Sequence, residues 1–359
     1  MVPIIDGHND VLARSYKEPA YDFVSGAKAA HLDLDGALES HLAGGFFAFY
    51  IPATPAEERR KRSYGKNLST PGAIPLARAH RETIAMFSRL RRYVEASQGR
   101  LVIARGPEDL EAAVAGHRGA TDLEAAVASH PSAGNRRTDA ASRESSPAVP
   151  RVPAEPRVAA VCHFEGAEAI DPELRALDLY YEAGLRSLGL VWSRPNRFAT
   201  GVPFAFDRSP DIGPGLTAAG RKLVRRCNEL GIIIDLSHLN EAGFWDVAKA
   251  SRAPLVASHS NAWSLCRSTR NLTDEQLAAI RDSGGLVGVN FGVPFLRSDG
   301  GRTEETPLSA IGDHLEYLAN RLGIDGVGFG SDFDGVTIPK ELGSVRGLPG
   351  LMESLRGRG

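Results

Sequence analysis

Imidazoles and carboxylates recur in this chain at positions from which they could meet at a metal ion. In MVPIIDGHND, His8 and Asp10 follow the apolar run Val2–Ile5. Residues two apart on a strand point the same way, so the pair can offer a ring nitrogen and a carboxylate oxygen to one point. CHFEGAE adds His163 and Glu165, IIIDLSH adds Asp235 and His238, VASHSNAW adds His259, and GFGSDFDG adds Asp332 and Asp334. This donor mixture suits Zn²⁺ or a similar divalent ion, and a bridging carboxylate would let two ions share a hydroxide. Glu165 is the candidate bridge; its alternative is an ion pair with a nearby arginine. His117 and His130, which close two copies of DLEAAVA, have no comparable donors around them and are not expected to bind metal.

Something must bring these residues to one place. Short apolar runs at Pro3–Asp6, Phe46–Ile51, Val158–His163, Ser187–Val191, Ile232–Leu236, Pro254–Ser258, Leu286–Asn290 and Val327–Ser331 read as strands. Helical patterns fall between them, at Gly72–Ala96, Glu173–Ala183, Thr217–Leu230, Glu241–Ala250, Asp274–Ser283 and Leu308–Leu322. Thr217 and Thr273 are placed as N-caps, and Gly231 as a C-terminal stop. Alternating strands and helices of this number predict an α/β fold, a (β/α)8 TIM-type barrel. Such barrels carry their chemistry at the C-terminal ends of the strands, and four of the ten histidines, His8, His163, His238 and His259, stand just beyond strand-like runs.

The bulk numbers narrow the partner. A 359-residue chain that is 42% hydrophobic can bury a large core, and a net charge of −2 gives no reason to expect nucleic acid or an anionic membrane. A small molecule is the expected substrate. Three cysteines without a CxxC pair fit a reduced compartment, so a cytoplasmic location is expected. No stretch reads as a signal peptide, and none approaches the roughly 20 apolar residues of a membrane span. Residues 1–359 read as one domain, in which 119–156, rich in Ser, Arg, Ala and Pro at its end, is expected to be a flexible insertion before the third strand.

DGHND, FEGAEAI, IDLSH, ASHSNAW, STRN and GFGSDFDG, in that order, resemble the membrane (renal) dipeptidases, binuclear zinc enzymes of the amidohydrolase superfamily. The resemblance implies that His8 and Asp10 bind a first zinc ion, that Glu165 bridges, and that His238 and His259 bind a second. Asp332 matches the acid/base residue beside the first ion. Arg270 stands where the family grips the substrate's terminal carboxylate, a task suited to a guanidinium's paired N–H groups. The implied activity is hydrolysis of the amide of a dipeptide by a metal-bridging hydroxide, with tolerance of a C-terminal D-residue. Asn290 and Arg194 are expected to join Arg270 in binding substrate, and a homodimer is compatible with the resemblance.

Three departures stand out. Where well-known members keep a histidine after the fourth strand, credited with stabilising the oxyanion, RSLGLVWSRPNRFATG has Trp192, whose indole N–H donates one hydrogen bond and carries no charge. Loss of an oxyanion donor typically costs about a hundred- to a thousandfold in rate, so Arg194, Asn196 and Arg197 are candidates to compensate. The substitution also raises two alternatives: an amidohydrolase for an N-acyl amino acid or a lactam, and a catalytically impaired metal-binding homologue. The second departure is the insertion. The third is a shortened C-terminus, where Leu348–Leu355 can supply only a short helix and the last strand is expected to be thinly covered.

Overall fold

The computed structural model describes residues 2–18, 20–26, 30–63, 68–128 and 155–358. Eight parallel strands close a barrel among these residues: β1 (Ile4–Asn9), β2 (Leu42–Phe49), β3 (Val158–Glu165), β4 (Leu185–Gly189), β5 (Ile233–Asp235), β6 (Val256–Ala257), β7 (Leu286–Val289) and β8 (Val327–Phe329). Each pairs with the next, and β1 closes the ring against β8 through Asp6 and Phe329. All eight expected strands are present. Two pieces were not expected: a small polar hairpin, Arg62–Ser63 with Ser69–Thr70, and a three-residue apolar strand, Leu101–Ile103, beside the first residues of β3.

The helices return where periodicity placed them, at Leu76–Ala96, Arg175–Ala183, Ala218–Leu230, Glu241–Ala250, Asp274–Asp282 and Ser309–Leu322. Thr217 and Thr273 accept the backbone N–H of Gly220 and Gln276 at the helix starts, and Gly231 ends its helix in the left-handed conformation that a side chain resists. One continuous helix, Pro107–Ala128, runs through both DLEAAVA copies, past the expected start of the insertion at residue 119. Residues 129–154 of the expected insertion, with His130, lie outside the described residues. His117 is buried, its Nε2 3.1 Å from the carbonyl oxygen of Arg157 at the N-terminal end of β3. Leu348–Arg356 forms the short closing helix, anchored by buried Leu348 and Leu351, while β8 stays half-buried along its length.

Between barrel and helices, aromatic packing fixes the strand ends. Phe49 lies 4.4 Å from Phe87, and Phe164 lies 5.0 Å from Tyr180. Successive side chains on a strand point to opposite sides, so anchoring Phe49 and Phe164 outward turns Tyr50 and Glu165 toward the barrel mouth. Inside the barrel the backbones nearly touch. A Cβ on Gly7 would overlap the carbonyl oxygens of Ser258 and Phe329, so the glycine of DGHND, within β1, permits close packing there.

Candidate active site

The strand ends bring the expected ligands together. His8 closes on Asp10, the cap of the helix Val11–Lys17, with Nε2 3.8 Å from Asp10 Oδ2. Glu165 reaches both ways: Oε2 lies 3.7 Å from His8 Nε2, while Oε1 lies 3.0 Å from His238 Nε2 and 3.7 Å from His259 Nε2. The Nε2 atoms of His238 and His259 face each other at 3.0 Å. His8, Asp10 and Asp332 form a second compact donor group. Donors about 2.0–2.2 Å from one tetrahedral ion stand roughly 3.4 Å apart, so these separations fit divalent metal. His8 Nε2, Asp10 Oδ1 and Glu165 Oε2 are buried and have no hydrogen-bond partner among the described residues, a need that a cation between them would meet.

Electrostatics agree. Burial, reinforced by the Asp10 carboxylate, pushes Glu165 well above the usual carboxylate range, and burial likewise raises Asp332. Burial opposes charge on His8 too, yet the carboxylates of Glu165 and Asp10 outweigh it and raise the ring to about 10. Burial, with Arg270 and His8 nearby, holds His238 and His259 well below their ordinary value, leaving neutral imidazoles suited to metal. Crowded carboxylates beside such histidines make a cluster whose charge a divalent cation balances.

Serines orient two of the histidines. Ser193 Oγ lies 2.7 Å from His238 Nδ1, and Ser258 Oγ lies 2.8 Å from His259 Nδ1. Ser258 Oγ also donates to Asp235 Oδ2 at 2.6 Å, and Asp235 accepts the backbone N–H groups of Ser258 and Ser237. His163 is buried beside this network, 3.0 Å from Ser187 Oγ, its pKa lowered to about 4 by burial. His238, Asp332 and Asp334 all have positive φ, a strained backbone that tends to persist at functional sites. A Cβ on Gly335 would collide with Asp10 Oδ2 and Asp332 Oδ1.

A cleft of about 270 Å³ opens over the cluster, lined by Asp10, Glu165, His238 and Asp332 and walled by Tyr50, Trp192, Phe204 and Phe295. Trp192 is therefore in the pocket, its ring 5.8 Å from His238. Arg270 is buried beside the cluster, donating to His259 O at 3.1 Å, with Nε unpartnered.

Two expectations about substrate contacts are corrected. Arg194 is fully buried: Nε donates to Glu168 Oε1 at 2.9 Å, and Nη2 donates to Ile51 O at 2.7 Å. It supports the wall from behind, its guanidinium 4.9 Å from the Trp192 ring and 5.4 Å from that of Tyr50. Asn290 is also spent, donating to Asp332 Oδ2 at 2.8 Å and accepting Gly292 N–H at 2.6 Å. It positions Asp332. Asn196 binds the Leu190 carbonyl and the Phe198 N–H, so it is not free to compensate for the missing histidine. Tyr50, Lys17, Phe204 and the orienting serines were missed; only Ser193 and Ser258, each beside a singled-out residue, carried any signal.

The model of the membrane dipeptidase family, peptidase family M19, matches residues 121–359. A protein of Klebsiella pneumoniae encoded in the pqqA 5′ region, itself uncharacterised, is 56% identical over 202 residues, which are 56% of this chain and 74% of that protein. A metallo peptidase of Rhodobacter sphaeroides, solved with a phosphinate mimic of the dipeptide L-Ala-D-Ala, is 42% identical with a TM-score of 0.81, covering 100% of this chain and 93% of that one. Dipeptidase AC, an M19 metallo peptidase, is also 42% identical, with a TM-score of 0.83 over 100% of this chain and 92% of its own. With strand ends that gather a metal-binding donor set under a small cleft, and these likenesses, the chain belongs to the membrane dipeptidase family, peptidase family M19, as a metal-dependent dipeptidase.

Proposed function

We propose that this dipeptidase is a binuclear zinc enzyme: one ion at His8, Asp10 and Asp332, the other at His238 and His259, with Glu165 between them. The observation that carries the reading is the division of Glu165, one oxygen toward His8 and the other toward His238 and His259. When bound, the ions would lower the pKa of a shared water and polarise the amide carbonyl. Asn290 holds Asp332 Oδ2, so Oδ1 is the oxygen left to take the water's proton and return it to the departing amine. Burial lowers Arg270 to about 10, which leaves it cationic at neutral pH for the substrate's α-carboxylate. A grip on the carboxylate alone accepts either configuration at that residue, in keeping with the D-Ala mimic held by the Rhodobacter sphaeroides protein. Trp192 offers an uncharged N–H where the family's histidine stands.

No helix of the described residues is long and apolar enough to cross a membrane, and buried free Cys162, Cys227 and Cys266 suit the reducing cytoplasm. A second reading, hydrolysis of N-acyl amino acids, draws on one feature: every carboxylate lining the cleft belongs to the metal cluster, so none is left over for a free α-ammonium. Metal analysis joined to turnover of L-Ala-L-Ala, L-Ala-D-Ala and N-acetyl-L-alanine tests both. Two zinc ions per chain and hydrolysis of both dipeptides are expected. Turnover of N-acetylalanine alone would favour the second reading, and two zinc ions with no hydrolysis an impaired homologue.

A further inference from the structure

The cleft wall is a continuous row of rings. Phe295 lies 6.0 Å from Phe204, Phe204 5.4 Å from Trp192, and Trp192 5.2 Å from Tyr50. A cation stands at each end: the Arg270 guanidinium 5.5 Å from the centre of Phe295, and Lys17 Nζ 5.5 Å from the centre of Tyr50. Trp192 and Phe204, midway, lie against His238, so the scissile group belongs at the middle of the row. If Arg270 takes the α-carboxylate, the amino-terminal residue must extend toward Tyr50 and Lys17. A dipeptide backbone spans only about 7 Å, so it is the first residue's side chain that can travel on to Lys17.

Lys17 and Arg302 are the cleft's charged groups outside the metal cluster, and neither makes an ion pair among the described residues. On the same helix Arg14, one turn before Lys17 and outside the cleft, binds both Asp334 and Glu18. A narrow site with cations of one sign focuses its field on an anion.

Building on the dipeptidase reading, we propose that this enzyme selects dipeptides whose amino-terminal residue is acidic, glutamate above all. Its methylenes lie along Tyr50 and Trp192, and its γ-carboxylate meets Lys17. Lys17 is then a specificity-determining residue, outside the bond-breaking machinery.

The test compares kcat/KM for L-Glu-L-Ala, the isosteric L-Gln-L-Ala, and L-Lys-L-Ala on the metal-loaded enzyme. Calorimetry on the phosphinate isosteres of the first two supplies a readout independent of turnover. Exposed charge pairs contribute modestly, so the expected preference for Glu over Gln is about 1.5- to fivefold in both kcat/KM and Kd, with Lys lowest. Lys17→Gln should bring the Glu-to-Gln ratio near one, and Lys17→Glu should place L-Lys-L-Ala first. Equal rates for Glu and Gln in the native enzyme, or an unchanged ratio in Lys17→Gln, overturns the proposal while leaving the dipeptidase reading intact. Absence of turnover on all three and on L-Ala-L-Ala overturns that reading and this one with it.

Discussion

Ser258→Ala removes one oxygen that makes two contacts. Ser258 Oγ donates to Asp235 at 2.6 Å, so its lone pair is the group facing His259 Nδ1 at 2.8 Å. That arrangement puts the ring proton on Nδ1 and leaves the Nε2 lone pair toward Glu165 and His238. Without the hydroxyl, His259 is free to choose either tautomer and to rotate, while Asp235 keeps its two backbone donors and so remains charged. Loss of such a supporting contact typically weakens metal binding by about 10- to 100-fold, or about 1.4 to 2.7 kcal/mol. The loss should be selective, because the hydrogen bonds of Ser258 Oγ among the described residues go to Asp235 and His259 and not to His8, Asp10 or Asp332. Titrating zinc-loaded protein with a chelator should show one ion leaving at 10- to 100-fold lower chelator activity and the other unmoved, with the thermal midpoint of the apoprotein little changed. Ser258→Thr, which retains the hydroxyl, should recover most of the affinity. An alanine variant that holds both ions as tightly as the native protein, or loses both together, refutes the reasoning.

Gly335→Ala places a methyl group against Asp10 Oδ2 and Asp332 Oδ1, so it should lower metal content and activity together, read by metal analysis on folded protein. His314 gives a pH dependence away from the site. Its Nδ1 accepts the Ala262 N–H at 3.2 Å and its Nε2 donates to Leu296 O at 3.0 Å, a neutral ring that burial holds at about 4 against an ordinary 6.5. As pH falls, the unfolded chain therefore takes the proton first, and stability present above pH 6.5 drains away toward pH 4. Between pH 7 and 5 its share of the loss amounts to about 2 kcal/mol, so the fall in stability read from urea midpoints should be smaller by about that amount in His314→Gln than in the native protein, the other buried histidines keeping theirs.

How far the residues could be read depended on what each signal required. Barrel strands and returning helices were legible because burial imposes a period, and the caps at Thr217 and Thr273 because orphan N–H groups demand an oxygen. The metal cluster was legible because its donors stand at strand ends, where the fold must gather them. Arg194 and Asn290 were misplaced because position near a strand end does not say which way a side chain turns. Arg194 turns inward to a buried carboxylate, Glu168, and Asn290 spends both ends of its amide on Asp332 and Gly292. Lys17 and Tyr50 were invisible for another reason: an exposed lysine and a tyrosine ending a strand look ordinary until the fold sets one over the other at the mouth.

The segment after β4 ties these strands of reasoning together, because three consecutive residues serve three layers of the site. Trp192 faces the cleft, Ser193 holds His238 Nδ1, and Arg194 turns beneath the wall to Glu168 and the Ile51 carbonyl. Arg194 thereby joins the loop after β4 to the chain just beyond Tyr50, and its guanidinium lies against both rings of the wall. A buried arginine is costly unless its donors are met, so a structure that keeps one here gains a fixed geometry in return. Trp192 is consequently held by a ring on either side and a cation behind, while its neighbour Ser193 holds the His238 ring. Replacing it by a histidine would open a gap between Phe204 and Tyr50, so Trp192 is a packing member of the cleft wall whatever its indole N–H does.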